Sequence, residues 1–161
     1  MFKHIGKEIK SEVIIKPKFV VEADKYKPTY ANETDYCMDL KIKIDGEMIQ
    51  LEPNECKTVG TGLKVAVPEG WGLFVAPRSS TGFKLNCMLA NTLGIIDSGY
   101  RDEIKVCLYN FGHNPVTLYD GQRLCQIFIL PRYKIIPEYT VDNEEFRNGD
   151  RGGGIGSSGR F

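Results

Sequence analysis

Apolar and polar residues alternate with a period of two along most of the chain, and β-branched side chains fill many of the apolar positions. That is the pattern of strands with one buried face. "KIKIDGEMIQL" (41–51) reads as a hairpin with Asp45-Gly46 as its two-residue turn. "GLKVAVPEGWGLFVAP" (62–77) reads as two strands around Pro68-Glu69-Gly70. "DEIKVCLYNFG" puts Ile104, Val106 and Leu108 on one face, and "VTLYDGQRLCQIFIL" is a strand pair broken at Asp120-Gly121. "NTLGIIDSGYRDEIKV" (91–106) reads as strand, turn and returning strand, a hairpin whose exposed turn carries Asp97, Ser98 and Tyr100. No segment keeps a long 3.6-residue period; one short helix is expected near Ser79 to Leu85, interrupted by Gly82. Many short strands with glycine and proline turns predict an all-β sandwich or barrel. No internal repeat is present. The chain divides into an N-terminal extension (1–12), a β domain (13–142) and a polar, glycine-rich end (143–161) that cannot build a core by itself.

Composition narrows the function classes. The chain has 161 residues, 42% hydrophobic and 26% charged, enough for one domain with a sizeable core. Its 21 basic and 21 acidic residues cancel, which argues against a general binder of nucleic acid or of membrane surfaces. The five cysteines are odd in number and form no C-x-x-C pair, so disulfide and zinc readings are weak. Several sit in apolar runs, where cysteine acts as a small hydrophobe. With two histidines, a histidine-based metal site is not expected. No membrane span or signal-peptide pattern is present, and the reducing cytoplasm is the expected compartment.

Several stretches can carry chemistry. In "APRSSTG", Arg78 stands at a strand end before Ser79 and Ser80; a guanidinium, hydroxyls and backbone N–H groups together suit a phosphate. A plain strand end with a capping serine would look the same. Gln126 is polar within an apolar strand and needs a partner, either a structural one or a ligand. Asp39 begins a strand in "TDYCMDLKI", a place where a carboxylate is ordinarily solvated. The tail "RGGGIGSSGRF" mixes glycine, serine and arginine; it is not a Walker A motif, and composition alone reads it as a disordered end.

In sequence order, "DYCMDL", "PRSS", "GIIDSGY", "GQRLCQ" and "RGGGIGSSG" resemble the five motifs of the trimeric deoxyuridine triphosphatase (dUTPase) family. "PRSS" and "GIIDSGYRDEIKV" match nearly residue by residue, and the resemblance runs from about Pro28 to the C-terminus. It implies a jelly-roll-like subunit in a homotrimer with shared active sites and a flexible C-terminal arm. It also implies hydrolysis of dUTP to dUMP and pyrophosphate with Mg²⁺, which keeps uracil out of DNA and supplies dUMP for dTMP synthesis. By the same resemblance Asp97 activates the attacking water. Tyr100 packs on the deoxyribose and excludes a 2′-hydroxyl, and Asn91, with the Gly94 to Ile96 backbone, reads uracil. Arg78, Ser79, Ser80 and Gln126 contact the phosphates, and Asp39 meets Mg²⁺ only through water. Arg151, Ile155, Gly156, Ser157 and Ser158 belong to the last motif, which closes as a lid. That motif is one residue shorter than the family pattern, and Ile155 stands where a phenylalanine would stack on uracil. An aliphatic lid, or Phe161 or Phe83 in the aromatic role, are the alternatives. Three other readings stand beside this one. A dCTP deaminase would need a second carboxylate at the base, with Glu103 nearby. A regulatory binding protein could use the same fold with an unknown protein partner, and a structural jelly roll rests on fold alone.

Overall fold

In this computed structural model the described residues are 14–141 and 146–150. The N-terminal extension and the whole last motif, Arg151 to Ser158, lie outside them. The strands are β1 (Lys18–Val21), β2 (Met38–Lys41), β3 (Met48–Leu51), β4 (Cys56–Gly60), β5 (Leu63–Ala66), β6 (Trp71–Pro77), β7 (Cys87–Leu89), β8 (Gly94–Ile96), β9 (Lys105–Asn110), β10 (Val116–Tyr119) and β11 (Arg123–Pro131). A 3-10 turn spans Asp24–Tyr26, and the expected short helix forms as α1 (Ser79–Phe83).

The strands make four antiparallel groups: β2-β11-β6-β8, β4-β9-β7, β1-β5 and β10-β3. Each contributes its alternate residues to one core. Leu40, Leu73, Val75, Cys125 and Ile127 come from the first group, and Val59, Leu89, Val106 and Leu108 from the second. Leu63 and Val65, with Leu51 and Leu118, come from the two ribbons. Burying one such side chain contributes about 1.5–3 kcal/mol, so the period-two pattern is the main source of stability. Ile104, Val106 and Leu108 are all buried, as their shared face predicts. This is the all-β architecture expected from the alternation, in the jelly-roll-like form that the family resemblance implies.

The hairpins are a correction. Among the described residues no two consecutive strands pair with each other. The turns are real: Gly70 and Gly121 sit at φ 83° and 74°, left-handed values that glycine adopts without strain. Yet the flanks of Asp45-Gly46 diverge, β2 to β11 and β3 to β10. Likewise β5 joins β1 while β6 joins β11, and β10 leaves β11 for β3. The 91–106 segment is also no hairpin, because β8 pairs with β6 and β9 with β4 and β7. The physical reason is coverage. Two strands of one hairpin turn their apolar faces to the same side, and that side needs an opposing layer. Crossing between sheets at each turn supplies the layer.

Candidate active site

Asp39 and Gln126 face each other across β2 and β11, and Ala76 of β6 lies on the other side of Gln126. The outward face of this sheet therefore carries both polar residues. Asp39 is not solvated, contrary to the expectation for a strand start. It is 7% exposed, and its carboxylate bridges two guanidinium groups. Arg78 Nε forms an ion pair with Oδ1 at 2.8 Å, and Arg123 Nη1 donates to Oδ2 at 3.0 Å. Two cations repay the desolvation of the one buried carboxylate. Gln126 Nε2 donates to the Pro77 carbonyl at 3.3 Å, which orients its amide at the same sheet end.

β6 ends at Pro77, and the chain turns directly into α1. Arg78 N–H still donates to the Leu124 carbonyl at 3.0 Å, while the buried Thr81 hydroxyl donates to the same carbonyl at 2.6 Å. The strand end thus pins the loop that carries Ser79 and Ser80. Asp35, Cys37, Asp39, Arg78, Ser79 and Gln126 line one cavity of about 310 Å³. Ser80 faces a neighbouring cavity of about 300 Å³ with Arg78, Lys84 and Arg123. Four of the sequence candidates, Asp39, Arg78, Ser79 and Gln126, are therefore brought together, with Ser80 beside them.

The remaining described candidates form a second group. Gly94 and Ile96 are in β8, opposite Val75 and Leu73 of β6. Asn91 precedes them in a tight turn in which Thr92 N–H donates to the Leu89 carbonyl at 2.8 Å. Thr92 holds φ 62°, a left-handed value that costs a side-chain-bearing residue roughly 1–2 kcal/mol. Asp97 and Tyr100 lie in the turn that follows β8. Tyr100 N–H donates to the Asp97 carbonyl at 3.0 Å, and the Tyr100 hydroxyl donates to the Glu103 carbonyl at 2.9 Å. Arg101 Nη1 donates to the Ser98 carbonyl at 2.6 Å and closes the turn. Asp97 and Tyr100 are both exposed to solvent. Glu103 is committed elsewhere: Oε1 accepts the N–H groups of Thr61 at 3.1 Å and Gly62 at 2.8 Å.

The two groups do not meet within one chain. Asp97 follows Ile96, which faces Leu73, while Arg78 is five residues further along the β6 direction. At about 3.3 Å per residue that is roughly 17 Å of strand. One residue of the phosphate-side group, Arg123, escaped the alternation argument. Strict alternation along β11 puts Arg123 and Gln126 on opposite faces. A β-bulge breaks the register between Arg123 and Cys125, so Arg123 lies opposite Lys41 on the Asp39 face. The apolar doublet Leu124-Cys125, both buried, is the trace of it in the sequence.

No group of three or more His, Cys, Asp and Glu that could hold a metal ion occurs among the described residues. Two carboxylates, Asp35 and Asp39, line the cavity that also holds Arg78 and Gln126. Hard oxygen donors of this kind fit Mg²⁺ that keeps its waters and arrives with an anionic ligand, as opposed to a resident ion in a protein cage.

The dUTPase family profile matches residues 24–159. A deoxyuridine 5′-triphosphate nucleotidohydrolase of Escherichia phage T5 is 46% identical over 137 residues, covering 82% of this chain and 90% of that protein. The enzyme of the same name from Wolbachia pipientis (strain wPip) is 39% identical, covering 83% and 86%. Among solved structures, a point mutant of the dUTPase from Staphylococcus aureus phage phi11, which coordinates a structural Mg(II) ion, superposes with a TM-score of 0.69 at 18% identity, covering 80% of this chain and 99% of that one. The Streptococcus mutans dUTPase gives 0.66 at 22% identity, covering 75% and 98%. With the profile spanning most of the chain and relatives matched along nearly their full length, the chain belongs to the dUTPase family.

Proposed function

We propose that this chain hydrolyses dUTP to dUMP and pyrophosphate, in a site assembled between subunits of a homotrimer. The observation that carries the reading is the division of the candidates into a phosphate-side cluster on Asp39, Arg78, Ser79 and Gln126 and a base-side turn on Asn91, Asp97 and Tyr100. Roughly 17 Å of strand separates the two along β6, too far for one subunit to grip the triphosphate and attack its α-phosphorus. Juxtaposing the base-side turn of one subunit with the phosphate side of the next removes that distance. Two apolar surfaces support such an assembly. Tyr36, Phe74 and Phe128 form an aromatic run on the outward sheet face, with Tyr36 largely exposed. Tyr133, Ile135, Ile136, Tyr139 and Val141 are all exposed on the segment after β11. A second subunit would cover both.

In this reading Asp97 holds the attacking water and takes its proton as the water adds to the α-phosphorus; pyrophosphate leaves in line. Its rigid turn supplies the positioning. The Tyr100 ring, fixed through its hydroxyl, lies against C2′ and leaves no room for a ribose hydroxyl. Asn91 and the β8 backbone meet the uracil edge, where the reversed donor and acceptor at position 4 of cytosine would mismatch. Arg78, Ser79, Ser80 and Gln126 hold phosphate oxygens. When bound with the triphosphate, Mg²⁺ supplies charge neutralisation, with Asp39 and Asp35 holding its water shell. Arg151, Ile155, Gly156, Ser157 and Ser158 close over the ligand, and their phosphate contacts must exceed the entropy of ordering.

The test is pyrophosphate release from dUTP, dCTP, UTP and dTTP with Mg²⁺. Only dUTP is expected to turn over, and Asp97→Asn is expected to lose about 10²–10⁴-fold in rate. Ammonia release from dCTP would favour a deaminase, against which the committed Glu103 carboxylate already argues. Tight dUTP binding without turnover by the native chain would sink the hydrolase reading.

A further inference from the structure

We propose that Asp39 and Arg123 are positioning residues for Arg78, brought to it by the β-bulge at Leu124; this rests on the reading of Arg78 as a phosphate-gripping residue. The bulge does three things at once. It turns Arg123 onto the face of Asp39 and Gln126. It leaves the Arg123 carbonyl to accept Arg78 Nη1 at 3.2 Å. It leaves the Leu124 carbonyl to accept the Arg78 N–H at 3.0 Å and the Thr81 hydroxyl at 2.6 Å. Backbone and side chain of Arg78 are thus both held by two consecutive residues of β11.

The arrangement matters because a guanidinium beside a carboxylate prefers a two-pronged contact. Left alone with Asp39, Arg78 would turn both prongs onto its two oxygens and away from the cavity. Arg123 competes for this place: its Nη1 donates to Oδ2 at 3.0 Å, while the closest approach of Arg78 is Nε to Oδ1 at 2.8 Å. Arg78 Nη2 makes no hydrogen bond among the described residues, and it is the prong this proposal gives to a phosphate oxygen. Arg123 itself is about half exposed, at 48%, so solvent screens its share of the pairing that offsets the burial of Asp39. Its effect falls on where Arg78 points.

The experiment compares Arg123→Gln and Arg123→Lys with the native protein by calorimetric titration with dUMP and with the α,β-imido analogue of dUTP, each with Mg²⁺, alongside kcat, KM and melting temperature. Arg123→Gln is expected to weaken analogue binding about tenfold and to raise KM, while dUMP affinity stays within about twofold. Arg123→Lys, which still occupies Oδ2, is expected to recover most of the loss. An unchanged ratio of analogue to dUMP affinity in Arg123→Gln overturns the proposal. Equal weakening of both ligands also overturns it, because that assigns Arg123 to the fold alone. Should Arg123→Gln not fold, Arg123→Lys binding no differently from Arg123→Ala decides against it as well. A native protein that binds the analogue without hydrolysing dUTP would fail the hydrolase reading and leave this test standing.

Discussion

Asp120, at the turn that launches β11, offers a test of how the phosphate-side cluster is anchored. Its Oδ1 accepts the Tyr26 hydroxyl and the Ile44 N–H, each at 2.9 Å, and Lys25 Nζ approaches Oδ2 at 2.5 Å. Burial pushes the carboxyl pKa up, but the hydrogen bonds from Lys25, Ile44 and Tyr26 outweigh it and hold the group below its ordinary value. Asp120→Asn keeps the shape and removes the charge. A hydrogen bond to a charged group is worth roughly 1 kcal/mol more than a neutral one. Lys25 is 58% exposed, so its ion pair is screened and adds little. The Tyr26 and Ile44 bonds therefore set the loss at about 1–3 kcal/mol at neutral pH. The sign of the pH dependence follows from the depressed pKa. The ionised carboxylate contributes its full stability above the unfolded value of about 3.9, and loses it as pH falls through the lower folded value. Urea denaturation at stepped pH should show a native-to-variant gap that is constant from neutral pH to about 5 and closes in the acid range below about 4. A gap that persists unchanged at the lowest pH, or no gap at neutral pH, would refute this account of the anchor.

Asn110→Ala should destabilise the chain by about 2–4 kcal/mol in the same denaturation assay, because the fully buried amide serves the Leu51 and Asn114 carbonyls and the Gly112 N–H. Tyr100→Ala should narrow the preference for dUTP over UTP, measured as the ratio of kcat/KM values, with little change in melting temperature. Ile135→Asp combined with Ile136→Asp should lower the solution mass toward one 18.1 kDa chain in light scattering, with dUTP turnover falling in step. In thiol titration of the folded protein, exposed Cys56 should react while Cys125, whose thiol burial pushes up to about 12, and buried Cys87 wait for denaturant.

The sequence by itself determined which residues go inside. Alternation placed Ile104, Val106 and Leu108 in the core, and turn chemistry located Gly70 and Gly121, because both depend on neighbours a few residues away. Motif order likewise singled out Asp39, Arg78, Gln126, Asp97 and Tyr100 without any coordinates. Only the tertiary structure decided which strands pair. A turn signal fixes a change of direction, but the partner depends on which apolar face needs covering, and here the strands flanking each turn pair elsewhere. Arg123 shows the same limit at the site. A single extra residue at Leu124 reverses the alternation, and that reversal exists only relative to β2. The burial of Asp39 was equally illegible, since the two arginines that make it tolerable come from β11 and from the end of β6, far away in the chain.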